Sequence, residues 1–380
     1  MMSKLDRLIA EFCPDGVKHV KLGEIAVRTK GTPITAAQMK ALDKPNAPVK
    51  IFAGGKTVAH FEYTDLPEKD IKTYPSVIVK SRGVIEFEYY DKPFSHKNEM
   101  WSYHSERDDV DIKFLYYFLK TQECKLREKA TSMGAFPQIA IHDTEKLLIP
   151  LPPLPVQCEI VRILDNFTEL TAELTAELTA ELTARKKQYE YYRDELLTFG
   201  DDVPRVPLGE IAVFNVGQTP KNNEVGEYPF INAGTTPSGY LSSYNTEPNT
   251  ITTPSRGQGG IGYVGYQTNY FWCGPLCYRI RSNDKRITTR FLYYVMSNSI
   301  TDIIGLANMT GVPALNRKEL KELPIPIPSL TEQARIVDIL DKFDALTNDI
   351  SIGLPAEIEA RNKQYEYYRN KLLTFKEVGA

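Results

Sequence analysis

The sequence has no run of about 18 apolar residues, so no membrane-spanning helix is expected. Its 5 cysteines are odd in number and widely spaced, which argues against a disulfide framework and points to a reduced, cytoplasmic setting. The opening Met1-Met2-Ser3-Lys4-Leu5-Asp6 has no apolar stretch, so no secretory signal is expected. A large charge of one sign is also missing: 46 basic residues stand against 49 acidic ones, a net charge of −3. Residues 151–200 hold 5 basic and 9 acidic residues, and residues 328–380 hold 7 and 9. The acidic excess therefore sits in two short segments and does not exclude a nucleic-acid partner for the rest.

What is present is a tandem repeat. Lys187-Gln188-Tyr189-Glu190-Tyr191-Tyr192-Arg193 returns unchanged as Lys363-Gln364-Tyr365-Glu366-Tyr367-Tyr368-Arg369, and both copies run on to Leu-Leu-Thr-Phe. Ile163-Leu164-Asp165 returns as Ile339-Leu340-Asp341 at the same offset, 176. Upstream the offset drifts. Leu22-Gly23-Glu24-Ile25 matches Leu208-Gly209-Glu210-Ile211, Ala53-Gly54 matches Ala233-Gly234, and Ser81-Arg82-Gly83 matches Ser255-Arg256-Gly257. Insertions and deletions concentrate between about residues 33 and 114 of the first copy, as expected for loops that carry a difference in function. Each copy is thus a variable domain followed by a constant arm.

The variable domains are rich in Gly, Pro, Thr, Tyr and β-branched residues. Ser76–Lys80 and Val84–Tyr89 alternate like strands joined by a tight turn at Arg82-Gly83. We expect α+β domains dominated by twisted antiparallel sheet, closed by helices near Ile112–Glu128 and Thr288–Leu306. The expected boundaries are 1–150 for the first domain, 151–200 for its arm, 201–328 for the second domain and 329–380 for its arm.

Each domain ends in a Pro-rich joint, Ile149 to Pro155 and Pro324 to Pro328, followed by helical sequence to Phe199 and Phe375. Some 44 helical residues make a rod of roughly 65 Å, whose apolar stripe needs a partner helix. The two arms packing as an antiparallel coiled coil is the simplest solution. In the first arm Thr171-Ala172-Glu173-Leu174 recurs at 175–178 and 179–182, placing Leu170, Leu174, Leu178 and Leu182 four apart as the spacer stripe. Gly353 and Pro355 should kink or break the second arm.

Two sheet-rich domains alternating with near-identical arms, the repeated Leu-Gly-Glu-Ile, Gly217-Gln218-Thr219-Pro220, the Pro-rich joints, Glu332-Gln333 and the Leu-Leu-Thr-Phe ends together resemble the specificity subunit of type I restriction–modification systems. The first copy departs at Gly31-Thr32-Pro33 and Val156-Gln157. The Thr-Ala-Glu-Leu repeats resemble those of the subgroup in which repeat number varies. The resemblance implies two target-recognition domains, each binding one half of a bipartite asymmetric site in double-stranded DNA. It also implies helical arms that set the gap and dock two DNA-adenine methyltransferase subunits, with two restriction/translocase subunits completing the complex. The chain itself would be non-catalytic and bind no cofactor, with S-adenosylmethionine, ATP and Mg belonging to its partners. The alternative is a coiled-coil scaffold whose sheet domains bind protein.

The residues agree with that implication. No Asn/Asp-Pro-Pro-aromatic segment is present, and all 5 histidines (His19, His60, His96, His104 and His142) lie in the first copy, so no catalytic histidine is shared. Gly54-Gly55-Lys56-Thr57 imitates the end of a phosphate-binding loop but lacks its upstream glycine. Cys273 and Cys277 read as buried apolar thiols, and no metal site is expected. Base readout needs Arg, Lys, Asn or Gln at base edges. The candidates are Lys30, Lys56, Lys80, Arg82 and Lys97 in the first domain, with Lys221, Asn222, Asn223, Arg256 and Gln258 in the second. Arg82 and Arg256, shared by domains that would read different sequences, fit a phosphate or structural role better than base specification.

Overall fold

The computed structural model describes residues 2–133, 136–220, 222, 224–348 and 353–379. The chain divides into two compact units, 1–176 with 359–380 and 177–358, so each unit combines one variable domain with pieces of both arms.

In the first unit, helix α1 (Lys4–Phe12) is capped by Ser3 and Asp6, which bond each other's backbone N–H. Four antiparallel strands follow in the spatial order Val27–Thr29, Trp101–His104, Ser76–Lys80, Glu86–Tyr90. The Ser76–Lys80 strand forms as expected, and its partner across Arg82-Gly83 starts two residues later than expected, at Glu86. A second sheet orders Val58–Phe61, Val49–Phe52 and Phe94–His96, and the last two run parallel, a pairing that alternation alone does not specify. Helix α2 (Ile112–Lys129) closes the domain.

The second unit repeats this topology strand for strand. Its four-stranded sheet orders Ala212–Val216, Cys277–Ser282, Thr250–Pro254 and Gly265–Gln267. Its three-stranded sheet orders Gly239–Leu241, Tyr228–Ile231 and Trp272–Cys273, again with one parallel pair. The expected closing helix is split at Ser299 into Thr289–Asn298 and Ile300–Gly305.

Helix α3 (Leu154–Leu196) contributes residues to both units and carries Pro155 in its first turn, where a missing N–H is harmless. Thr289–Asn298 is α4; the second arm consists of α5 (Leu330–Asn348) and α6 (Leu354–Leu372). Gly353 lies outside both helices, as expected, whereas Pro355 is accommodated in the first turn of α6; 349–352 lie outside the described residues. No helix among the described residues is long and apolar enough to cross a membrane.

Equivalent residues build the two cores. Leu22, Ile25, Phe114, Leu115, Ile149, Ile160 and Leu164 are buried in the first, and Leu208, Ile211, Phe291, Leu292, Ile325, Ile336 and Leu340 in the second. Each core is completed by the end of the other arm. Leu373 is buried with Ile160 and Leu164, and Leu197 with Ile336 and Leu340. The pairing is antiparallel in both units. Phe167 stacks on Tyr368 at 6.0 Å and Thr168 Oγ1 lies 2.9 Å from Tyr365 Oη, while Phe343 meets Tyr192 at 5.8 Å and Tyr189 at 6.2 Å.

Candidate nucleic-acid interface

The joint between domain and arm is built identically twice. Gln157 is fully buried; its Nε2 donates to the carbonyls of Asp109 (2.8 Å) and Pro152 (2.7 Å), and its Oε1 accepts from Asp111 N–H (2.9 Å). Gln333 repeats the set, donating to Arg286 (2.7 Å) and Pro328 (3.0 Å) and accepting from Thr288 N–H (3.0 Å). Asp111 and Thr288 are the N-caps of α2 and α4, so each glutamine fixes where a domain helix begins relative to its arm.

Two arm turns further, Asp165 accepts from Tyr117 Oη (2.6 Å) and Lys113 (2.8 Å), and Asp341 accepts from Tyr294 Oη and Arg290 (2.6 Å). Burial first, and the bond to the aspartate second, push both tyrosine hydroxyls well above their ordinary pKa. Both therefore stay neutral donors at neutral pH. These contacts explain why Gln and Asp recur in both arms: they are joints, not readers.

Two further repeated motifs are structural. A Cβ on Gly31 would lie 2.3 Å from the Lys97 carbonyl oxygen, and one on Gly217 2.2 Å from that of Gly274, so in each Gly-Thr-Pro-type segment the chain passes too close for any side chain. Leu22 and Leu208, heading the Leu-Gly-Glu-Ile turns, are fully buried and donate to Leu147 and Leu323, both at 2.9 Å.

The sequence candidates scatter over several environments. Lys30 is exposed beside the Gly31 crossing, and Lys56 is exposed in the hairpin turn between Val49–Phe52 and Val58–Phe61. That hairpin joins strand to strand, so Gly54-Gly55-Lys56-Thr57 lacks the strand-to-helix setting of a phosphate-binding loop. Lys80 is buried between Glu86 (3.0 Å) and Glu88 (2.8 Å). Burial opposes its charge, but the two carboxylates outweigh it and raise its pKa, so this cation is neutralised inside the domain. Lys97 is half-buried and paired with Glu99 at 2.9 Å.

Arg82 and Arg256 are exposed in matching turns. Gly83 N–H donates to Pro137 (2.9 Å) and Gly257 N–H to Pro313 (3.0 Å), while Ile139 and Leu315 donate back to Ser81 (3.0 Å) and Ser255 (2.9 Å). In the first domain Arg82, Gly54, Gly55, Lys97 and Glu99 line one open cleft of about 700 Å³. Asn222 and Gln258 are exposed; Lys221 and Asn223 lie outside the described residues.

The spacer stripe differs from expectation. Leu170 is 63% exposed and Leu174 36%, whereas Leu178 and Leu182 are half-buried. The half-buried positions run Thr171, Thr175, Leu178, Leu182, Arg185, alternating four and three residues. A strict four-residue step turns ~40° too far per repeat, so one residue type cannot hold a straight seam.

A second polar cleft, of about 300 Å³, was not anticipated. Asn215, Asn245, Glu247, Thr250, Arg279 and Arg281 line it on the outer face of the second domain's larger sheet. The alternation Tyr278-Arg279-Ile280-Arg281 carried the signal, since Tyr278 and Ile280 are buried and the arginines face away. Arg281 is saturated by Thr250, Glu247 and the Pro248 carbonyl. Cys273 and Cys277 are fully buried with Ile231 and Phe271, and no cluster of three metal-ligating side chains occurs among the described residues.

These domains, joints and arms are those of a DNA specificity subunit architecture. The model of the type I restriction modification DNA specificity domain matches residues 14–184 and again 201–360, and the chain belongs to that family. It is 33% identical to the specificity subunit of the Escherichia coli type I restriction enzyme EcoR124I/EcoR124II over 98% of this chain and 97% of that one. It is 35% identical to a putative type I restriction enzyme specificity subunit of Haemophilus influenzae over 71% and 74% of the two chains. The fold matches the type I restriction–modification S subunit crystal structure from M. genitalium at a TM-score of 0.53, with 22% identity over 94% of this chain and 96% of that chain. It also matches a chain from a structural study of complex assembly and conformational transition of the type I R-M system at 0.60, with 17% identity over 95% and 98% of the two chains.

Proposed function

We propose that this chain is the DNA sequence-recognition subunit of a type I restriction–modification complex. Each variable domain binds one half of a bipartite, asymmetric site in double-stranded DNA. The arms set the unread gap and dock two methyltransferase subunits, to which two restriction/translocase subunits are added. The observation carrying this reading is the repeated domain: topology, joint and arm recur, while the loops and outward polar residues differ. One scaffold presenting two different surfaces suits two different half-sites.

The chain is non-catalytic in this reading and acts in the cytoplasm. S-adenosylmethionine, ATP and Mg work on the partner subunits. Tyr191 and Tyr367, equivalent residues of the repeated motif, are 60% and 61% exposed, and two identical outward aromatics suit two copies of one partner. The Thr-Ala-Glu-Leu repeats act as a ruler, each adding about 6 Å of helix. Removal of Thr179–Leu182 should alter the gap and leave both half-sites unchanged.

Methylation mapping is the test. The chain is co-expressed with the methyltransferase subunit encoded beside it, and methyladenine is located in host DNA by single-molecule sequencing. A two-part asymmetric motif with a fixed gap is expected. An unmodified genome, with the complex assembled and methyl donor present, would favour a protein-binding scaffold instead.

A further inference from the structure

Gly54 and Gly234 are equivalent, and the fold requires neither. Their φ angles are negative, so neither needs the left-handed region. A Cβ at Gly54 would meet nothing within 4 Å, and one at Gly234 would make only an ordinary 3.4 Å contact with the Thr236 carbonyl. This contrasts with Gly31 and Gly217, where the protein's own backbone excludes a side chain. A glycine kept in both copies without an internal reason points to something outside the chain that comes close.

The Ser-Arg-Gly turn stands beside that glycine in both domains. Arg82 and Gly54 line the same cleft, and in the second domain a Cβ on Gly257 would lie 3.3 Å from Ala233 Cβ, the residue before Gly234. Arg82 and Arg256 are exposed, and neither guanidinium has a hydrogen-bond or ion-pair partner among the described residues. By contrast Arg28, Arg107 and Arg281 are paired within their domains, and Arg290 with Asp341 of its arm. The other cation lining the first cleft, Lys97, is paired with Glu99. A feature common to two domains that read different bases must meet what every duplex shares, and that is the sugar–phosphate backbone.

We propose that Arg82 with the Gly54–Gly55 turn, and Arg256 with the Gly234 turn, form one phosphate clamp in each domain. The guanidinium pairs with a phosphodiester, and the bare glycine main chain lets the strand approach. The clamp sets each domain on the duplex, while non-equivalent loops choose the bases. This rests on the DNA-recognition reading above.

The test uses the full chain in its methyltransferase complex, with a duplex carrying the mapped site and one with both half-sites scrambled. Arg82→Ala and Arg82→Gln should weaken both by the same factor, on the order of tenfold, and flatten the log–log salt slope by ~0.9. Gly54→Leu should melt like wild type, because its side chain enters open space, yet lose affinity for both duplexes alike. Arg256→Ala and Gly234→Ala should repeat this in the second domain. Unchanged affinity in the Arg82 and Gly54 variants, or an altered methylated sequence, overturns the clamp. Failure of the wild-type complex to bind duplex DNA would instead overturn the recognition reading itself.

Discussion

The two units reach the same joint by the same contacts and then diverge. Gln157 and Gln333 fix the same two elements, Asp165 and Asp341 hold equivalent tyrosines, and Phe167 and Phe343 meet Tyr368 and Tyr192. Every one of these pairs is separated by 176 or 177 residues. Outside the joint the units part. The first carries α1, tied down by Lys4 to the buried Glu159 at 2.8 Å; the second has Arg335 at the position of Glu159. The first sheet presents a buried Lys80 with Glu86 and Glu88, the second an outward Arg279 and Arg281. The difference teaches that identity between the arms has an internal cause before any partner is considered: each arm end must fit the start of the other arm.

Substitutions at the shared contacts test that equivalence. Leu197→Ala and Leu373→Ala each remove a buried side chain between the arms and should destabilise their unit by roughly 2–5 kcal/mol. Denaturant unfolding followed separately in each unit should show similar losses. A loss in one unit only would mean that the symmetric packing is not energetically symmetric.

Acid should separate the units more clearly. His96 is buried, bonded to Ser102 Oγ (3.1 Å) and the Lys97 carbonyl (3.2 Å), and burial followed by nearby Lys72 lowers its pKa to about 4. Glu99 and the Lys97 carbonyl pull the other way and are outweighed. Unfolded, the imidazole returns to about 6.5 and binds the proton more readily. Stability from this group is therefore complete above about pH 6.5 and is lost as pH falls toward about 4, by about 3 kcal/mol at most. The second unit has no histidine. His96→Asn should remove this pH dependence from the first unit and leave the second unchanged; an identical acid profile in both units would refute it.

Gln157→Ala or Gln333→Ala would strand a helix-capping N–H and two carbonyls, at about 1–3 kcal/mol each. Their bonding could not be read from sequence. The Gln stood out only through its place after a Pro-rich joint, and its three partners lie up to 48 residues away. The repeat, the arms, the first hairpin and the exposed Arg82 and Arg256 were legible because local periodicity and internal identity carry them. The parallel pair in each domain, the burial of Lys80 and the cleft at Arg279 were not, because each depends on which strands become neighbours. Lys80 shows this best: every residue of its strand is buried, and its charge is cancelled by carboxylates on the adjacent strand.

The smallest effects belong to the spacer, where the comparison lies within one helix. If the seam follows Thr171, Thr175, Leu178 and Leu182, then Leu178→Ser and Leu182→Ser should each cost about 1 kcal/mol, as half-buried apolar groups do. Leu170→Ser, at a position 63% exposed, should stay within about 0.5 kcal/mol of wild type. Equal losses at all four leucines would restore a continuous leucine stripe and require the helix to be wound more loosely, at about 4 residues per turn in place of 3.6. A graded series would confirm that a four-residue repeat contributes length along the arm while only part of it contributes packing. Repeat number could then vary without remaking the joints at either end.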